Sequence, residues 1–262
     1  MVVDLHLGDC LTGLPLLDDR SCEHAIFDPP FSERVHARLG REGRKDGTPS
    51  RKALTFEHMT RDEAQAIARH LCRICTRWII VICDEITFGF WIEAIEAAGG
   101  EYVRKGTWVK VDPMPQMSGD RPATGTEEIV IAHAPRPSRT RMRWNGCGKA
   151  AVYQVNPQER GIEREHPNQK PLALMDALVR DFTDAGDAVL DPYAGTASTG
   201  VACKRLGRSF IGFERDPKYH AIGARRLAET CEQPDLISRE AHARAARVKR
   251  PQLGLSLTPE PS

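Results

Sequence analysis

A chain of 262 residues, 40% of them hydrophobic, is long enough to bury one sizeable core and lies near the upper end of ordinary single-domain length. No apolar run approaches the roughly 18 to 20 residues of a membrane helix, and Met1-Val2-Val3-Asp4 does not open a basic-then-apolar leader, so a soluble cytoplasmic protein is expected. The formal net charge of +1 argues against a uniformly basic surface, yet it averages over unequal segments.

The segment 34–52 carries Arg34, Arg38, Arg41, Arg44, Lys45, Arg51 and Lys52, and the segment 136–164 carries Arg136, Arg139, Arg141, Arg143, Lys149, Arg160 and Arg164. Both contain Gly or Pro and lack a steady period, so both read as loops. The eight cysteines have none of the dense spacing of a secreted disulfide scaffold and fit a reducing compartment. Cys72 and Cys75 form a C-x-x-C pair on a predicted helix, but no second pair completes a tetrahedral zinc set. They read as buried, inert thiols, and no metal is expected.

Val3-Asp4-Leu5-His6-Leu7 alternates apolar and polar residues and runs into Gly8-Asp9, the pattern of a half-buried strand and a turn. A short amphipathic stretch leads to the apolar run Ala25-Ile26-Phe27, which ends in Asp28-Pro29-Pro30-Phe31. Residues 32–58 hold Gly40, Gly43, Gly47 and Pro49 and read as a long mobile loop. Apolar residues at helical spacing then predict a helix from Arg61 to Arg77, and Trp78 to Cys83 a buried strand ending at Asp84. A helix over Phe90 to Ala98 follows, then two β-rich runs, Tyr102 to Val111 and Glu128 to His133. With no helix between them, they predict an antiparallel hairpin at a sheet edge.

After a basic insertion at 135–165, Pro171 to Phe182 predicts an amphipathic helix with Pro171 as its first residue. The run Ala188-Val189-Leu190 is a strand ending at Asp191, Thr199 to Leu206 a helix, Ser209 to Phe213 a strand ending at Glu214, and Pro217 to Thr230 a last helix. Residues 233–262 are polar, Arg/Ala-rich and finally Pro-rich, and read as a basic, largely disordered tail. Residues 1–232 therefore form one α/β domain.

Two loops carry chemistry. Asp191-Pro192-Tyr193-Ala194-Gly195-Thr196-Ala197-Ser198-Thr199 is a strand end, a tight small-residue loop and a helix start. Small residues let a ligand approach the backbone, and Ser198 or Thr199 is placed to cap the helix. Glu214 ends the next strand about twenty residues on, where a carboxylate can accept both hydroxyls of a ribose. The loop has neither G-x-G-x-x-G nor the G-x-x-x-x-G-K-S/T of nucleoside triphosphatases. A sheet turn with a capping acid is the plainer reading. The other loop, Asp28 to Phe31, puts a carboxylate, a rigid backbone and an aromatic face at a strand end, and taken alone it says only a stiff turn.

Together, Asp28-Pro29-Pro30-Phe31 and Asp191-Pro192-Tyr193-Ala194-Gly195-Thr196 resemble the amino-methylating DNA methyltransferases that use S-adenosylmethionine. Leu7-Gly8-Asp9-Cys10, Trp108-Val109-Lys110 through Pro113, Arg121-Pro122 and His166-Pro167-Asn168-Gln169-Lys170-Pro171 resemble further segments of that family. The order, catalytic motif before cofactor motif, is similar to its permuted β group. The resemblance spans about residues 3 to 227. It implies a Rossmann-like methyltransferase fold with a mixed, mainly parallel sheet of seven strands and a small DNA-recognition insertion. Phe31 stands where the family more often has tyrosine, and Ala197 where it often has glycine.

The resemblance places Asp28, Pro29, Pro30 and Phe31 at the catalytic centre. It places Asp9, Cys10, Lys170, Asp191, Pro192, Tyr193, Ala194, Gly195, Thr196, Ser198, Thr199 and Glu214 around the cofactor, with Asp9 near the adenine and Lys170 near the methionine carboxylate. Asp9 also reads as a turn residue, and Lys170 as a solvated lysine at a helix entry. The partner implied is double-stranded DNA, with a homodimer as a further expectation. The basic loops would neutralise phosphates, and the second, with Trp144, Asn145 and Tyr153, is the better placed to read bases.

An exocyclic amine has its lone pair delocalised into the ring and needs acceptors to draw it out. Asp28 and the Pro29 carbonyl suit that task, and Phe31 offers a stacking face for a flipped base. An initial Asp favours adenine N6 over cytosine N4, where Ser is more frequent. Cytosine N4 methylation, an RNA or protein-amide methyltransferase, and a non-catalytic cofactor- or DNA-binding module stay open.

Overall fold

The computed structural model describes residues 1–34, 58–113, 115–117, 119–136, 142–158 and 169–232. Most of the 32–58 loop, His166, Pro167, Asn168 and the 233–262 tail lie outside the described residues.

In chain order the elements are β1 (Val3–Leu7), α1 (Cys10–Gly13), β2 (His24–Phe27), α2 (Arg61–Ile74), β3 (Trp78–Cys83), α3 (Thr87–Ala97), β4 (Glu101–Lys110), β5 (Thr126–His133), β6 (Val152–Val155), α4 (Leu172–Phe182), β7 (Ala188–Asp191), α5 (Ser198–Arg205), β8 (Ser209–Glu214) and α6 (Pro217–Glu229). One sheet runs β1-β8-β7-β2-β3-β5-β4-β6. The first five strands in that order are parallel; β5 is antiparallel to β3, β4 to β5, and β6 is parallel to β4.

Helices cover both faces, so the central strands are apolar throughout rather than alternating. In β3, Ile79, Val81 and Cys83 pack on one side with Ala64, Ile67, Leu71 and Trp91 of α2 and α3. Trp78, Ile80 and Ile82 pack on the other with Leu174, Leu178 and Phe182 of α4 and with α5. Thr60 caps α2 by accepting from the Glu63 amide, and Asp216 caps α6 ahead of Pro217.

The sheet has eight described strands, not seven. The eighth, β6, lies inside the basic insertion, where four residues of alternating pattern are outweighed by charged and glycine neighbours. The antiparallel pair β4–β5 is consequently not the sheet edge, because β6 covers β4 with Trp108 opposite Tyr153. Trp108 Nε1 donates to the Val155 carbonyl at 2.9 Å and fastens the added strand. Among the described residues, no helix is long and apolar enough to cross a membrane.

In the described part of the 136–164 segment, Trp144, Asn145 and Tyr153 contact the domain. Asn145 Nδ2 donates to the Thr183 carbonyl at 2.9 Å and to Asp184 Oδ1 at 3.0 Å, and its backbone amide donates to the Asp181 carbonyl at 2.8 Å. Tyr153 OH donates to Asp181 Oδ2 at 2.9 Å, and the Trp144 ring lies 6.4 Å from that of Phe182. Trp78 Nε1 donates to the Arg143 carbonyl at 2.8 Å. Trp78 begins β3, whereas Asp28 follows the end of its parallel neighbour β2, so Trp144 and Asn145 sit at the end of the sheet remote from Asp28. Val155 of the insertion lies back at the Asp28 end, where it pairs with Lys110.

Replacing Asn145 by Ala removes three side-chain hydrogen-bond contacts from the carbonyls and carboxylate that end α4. Urea denaturation should show a loss of about 1–3 kcal/mol, as expected of an anchor.

Candidate active site

Strands β2 and β7 are adjacent and parallel, with His24 opposite Val189 and Ala25 opposite Leu190. From β7 the chain passes through α5 to β8 on one side, and from β2 through α2 to β3 on the other. The crevice beyond their carboxyl ends is thus a topological switch point, where open α/β sheets bind ligands. Asp28 and Asp191 both lie at that edge and interact electrostatically, although 163 positions separate them in sequence.

The Asp28 loop is held from two sides. The Ser32 amide donates to Asp84 Oδ2 at 2.6 Å, and the Met59 amide donates to the Phe31 carbonyl at 3.1 Å. Asp84 Oδ1 accepts from the Ile86 and Thr87 amides at the start of α3, so one carboxylate ties the loop to a helix. In sequence Asp84 reads only as the end of a strand, and no motif marks this role.

Lys170 is buried, and its ammonium lies 2.6 Å from Asp28 Oδ2 and 3.2 Å from Glu127 Oε2. Glu127 Oε1 is in turn 2.9 Å from the Lys110 ammonium. The Lys170 ammonium also lies 5.0 Å from the centroid of the Phe31 ring and 6.0 Å from that of Trp108. Burial pushes the Asp28 carboxyl up to about 6, against the downward pull of Lys170. Burial works against the Lys170 charge, but Asp28 and Glu127 outweigh it and hold the lysine above its ordinary value. Lys170 is therefore not a solvated lysine. Glu127 is absent from every sequence motif and falls just before the β-rich run Glu128 to His133, although the strand itself begins at Thr126.

Asp191 is buried and pushed up to about 7 by desolvation, although Thr199 and the Tyr193 amide bond to its charged form. Tyr193 OH donates to Glu63 Oε1 at 3.0 Å and also meets the Cys10 thiol, which burial pushes up to about 12. Arg226 of α6 clamps the back of the loop, donating to the Thr196 carbonyl, to Thr196 Oγ1 at 3.0 Å and to Ser198 Oγ at 3.3 Å. The side chains of Thr196, Ser198 and Thr199 are thus turned into the protein.

The helix cap differs from expectation. Ser198 and Thr199 lie inside α5, and its N-cap is Ala197, in the left-handed region at φ 58° without a side-chain bond. Similarly, Pro171 is the N-cap of α4 rather than its first residue. The backbone at Gly195 is also left-handed, at φ 54°, and a Cβ placed there would meet nothing within 4 Å, which leaves room for a ligand against the loop. Glu214, raised by burial, ends β8 with Oε1 accepting from the Asp216 amide at 2.7 Å and a further bond from the Gly195 amide. The Gly8 amide donates to the Glu214 carbonyl at 2.9 Å, and Asp9 caps α1 through the Leu11 amide at 2.8 Å.

This αβα arrangement is shared with solved methyltransferases. The structure titled M1.HpyAVI-SAM complex matches with a TM-score of 0.66 at 22% identity, over 86% of this chain and 99% of that one. The PvuII DNA methyltransferase, described as cytosine-N4-specific, matches with a TM-score of 0.66 at 17% identity, over 87% of this chain and 86% of that one. These likenesses define the Rossmann-like methyltransferase fold. The model of the DNA methylase family N6_N4_Mtase matches residues 75–225, more than half of the sequence, and the chain belongs to that family. The type II methyltransferase M2.DpnII of Streptococcus pneumoniae is 32% identical over 146 residues, 51% of this chain and 54% of that protein. The chain thus spans about half the length of that relative.

Ala197 offers a local test, because left-handed strain of about 1–2 kcal/mol opposes the burial of its methyl, about 0.8 kcal/mol. Ala197→Gly also adds about 0.5–1 kcal/mol of chain freedom in the unfolded state. These nearly cancel, so thermal denaturation should place Ala197→Gly within about 1 kcal/mol of the parent. Ala197→Val, β-branched and fully buried, should lose more than about 2 kcal/mol.

Proposed function

We propose that this protein transfers the methyl group of S-adenosylmethionine to the N6 amino group of an adenine turned out of duplex DNA. The observation that carries the reading is the pairing of Asp28 and Asp191 loops at one switch point, within a chain of the DNA methylase family. Asp28 Oδ1 is shielded from solvent and has no hydrogen-bond partner among the described residues. It is a free acceptor beside the stiff Pro29-Pro30 backbone, suited to an amino N–H, with the Pro29 carbonyl as a second acceptor. Two such acceptors draw the amine toward a tetrahedral nitrogen and aim its lone pair in line. Phe31 presents an aromatic ring to the extruded base, a contact worth about 1–3 kcal/mol in single-strand binders.

The crevice beside the Asp191 loop would take a nucleoside cofactor. The space above Gly195 admits close approach to the backbone, and Glu214, which ends β8, would accept ribose hydroxyls. With the side chains of Thr196, Ser198 and Thr199 engaged by the protein, the loop would contact the ligand through its backbone. When bound, S-adenosylmethionine supplies an electrophilic methyl on a sulfonium centre. The basic segment at 34–52, which follows the Asp28 loop in sequence, would supply charge for phosphate neutralisation.

Adenine is favoured over cytosine because the loop opens with Asp rather than Ser, while the fold resembles a cytosine-N4-specific enzyme equally well. Mass spectrometry of digested duplex after incubation with protein and cofactor should yield N6-methyladenine. N4-methylcytosine in its place would sink the adenine assignment, and sequencing of the methylated DNA would give the recognition context.

Asp28→Ala should lower kcat by about 100-fold or more while cofactor binding persists. Since Asp28 must be a carboxylate to accept, and its carboxyl is raised to about 6, single-turnover rates should be full well above that pH. They should fall about tenfold per pH unit below it. A rate flat down to pH 5 would remove Asp28 from the mechanism.

A further inference from the structure

Four charged side chains from four parts of the fold meet at the mouth of the site: Asp28 after β2, Lys170 before α4, Glu127 of β5 and Lys110 of β4. Their formal charges sum to zero, so the group can be desolvated without stranding a charge. β5 runs antiparallel to β3, with Glu128 opposite Cys83. The start of β5 therefore lies at the carboxyl ends of the parallel strands, beside Asp28.

An ammonium has three donors, and a lone carboxylate offers it two oxygens. Facing Asp28 alone, Lys170 would be free to bridge both. Here Glu127, itself paired with Lys110, lies 3.2 Å from the ammonium as an ion-pair contact, and Asp28 meets Lys170 through Oδ2 at 2.6 Å. Oδ1 is left shielded and unpartnered among the described residues.

We propose that Glu127 is a positioning residue for methyl transfer: by holding Lys170 on Asp28 Oδ2, it reserves Oδ1 for the amino group of the base. This rests on the reading of Asp28 as the amine acceptor. Asp28 is faced by Lys170, by Glu127, by Lys110, by Asp191 on β7 and by Cys83 at the end of β3. Of these, Glu127 raises the Asp28 carboxyl and Lys170 lowers it. The two neighbours should therefore move the titration of Asp28 in opposite directions, which loss of packing alone would not do.

The test compares Glu127→Gln and Lys170→Met with the parent, using full-length protein, S-adenosylmethionine and duplex DNA. Glu127→Gln should lower kcat by about 10- to 100-fold, leave KM for cofactor and DNA within about twofold, and move the acid limb below its parent position near 6. Lys170→Met should move that limb upward. Carbon-13 NMR of aspartate-labelled protein, with the Asp28 resonance assigned by its loss in Asp28→Ala, reads the same titration without substrate. Opposite shifts in the two variants, with loss of kcat, support the proposal. An unchanged Asp28 titration in folded Glu127→Gln, or parent-like kcat, overturns it. Absence of methyl transfer by the parent protein would overturn the proposed function instead, and the carboxyl titration would still report whether Glu127 and Lys170 act on Asp28.

Discussion

The parallel pairing of β2 with β7 is the constraint on which the site depends. Only two residues of each strand are in register, His24 with Val189 and Ala25 with Leu190, yet they bring two distant loops to one crevice. The pairing is secured at the far end of the strands. His24 Nε2 lies 2.8 Å from Asp187 Oδ2, which also accepts from Arg77 at 3.0 Å and from the Asp184 amide at 2.8 Å. Asp187 precedes β7, His24 begins β2 and Arg77 precedes β3, so one carboxylate aligns three neighbouring strands. Burial disfavours its charge, but these partners outweigh burial and hold Asp187 below its ordinary value. A slip of one residue would turn Ile26 and Leu190 to the wrong faces and separate the loops.

At the active end, electrostatics and packing oppose each other. Burial alone would protonate both Asp28 and Asp191, and each is answered differently. Asp191 is answered by neutral donors, the Thr199 hydroxyl and the Tyr193 amide, and becomes part of the loop's skeleton. Asp28 is answered by a buried ammonium and keeps one oxygen without a hydrogen-bond partner among the described residues. Buried ion pairs are a weak source of stability, because desolvation offsets their attraction. The cluster at Lys170 sets the charge environment of the Asp28 carboxyl.

The insertion between β5 and α4 shows how the same residue types serve unlike ends. Aromatic and amide side chains in a basic segment suggest recognition, yet Asn145 and Tyr153 bond to carbonyls and acids at the end of α4, and the Trp144 ring lies beside that of Phe182. A helix end leaves several carbonyls without partners, and Asn145 supplies donors for Arg180 and Thr183. Nothing in the local pattern separates an amide that caps a helix from one that reads a base, since the chemistry of donation is identical.

Much of the architecture was legible along the chain because its signals are local. Apolar runs such as Trp78–Cys83 announce buried strands, the apolar period of Leu174, Met175, Leu178, Val179 and Phe182 announces a helix face, and the Asp-Pro loops mark strand ends. The eighth strand escaped because four residues of alternation carry little signal among charges, and their strand character comes from pairing with β4. By itself, the sequence determined which residue types stand at the ends of β2 and β7, and which family they belong to. Only the tertiary structure decided the partners of Asp28, the burial of Lys170 and the place of Glu127. Charge pairing in a desolvated site depends on distance in space, which chain position does not encode.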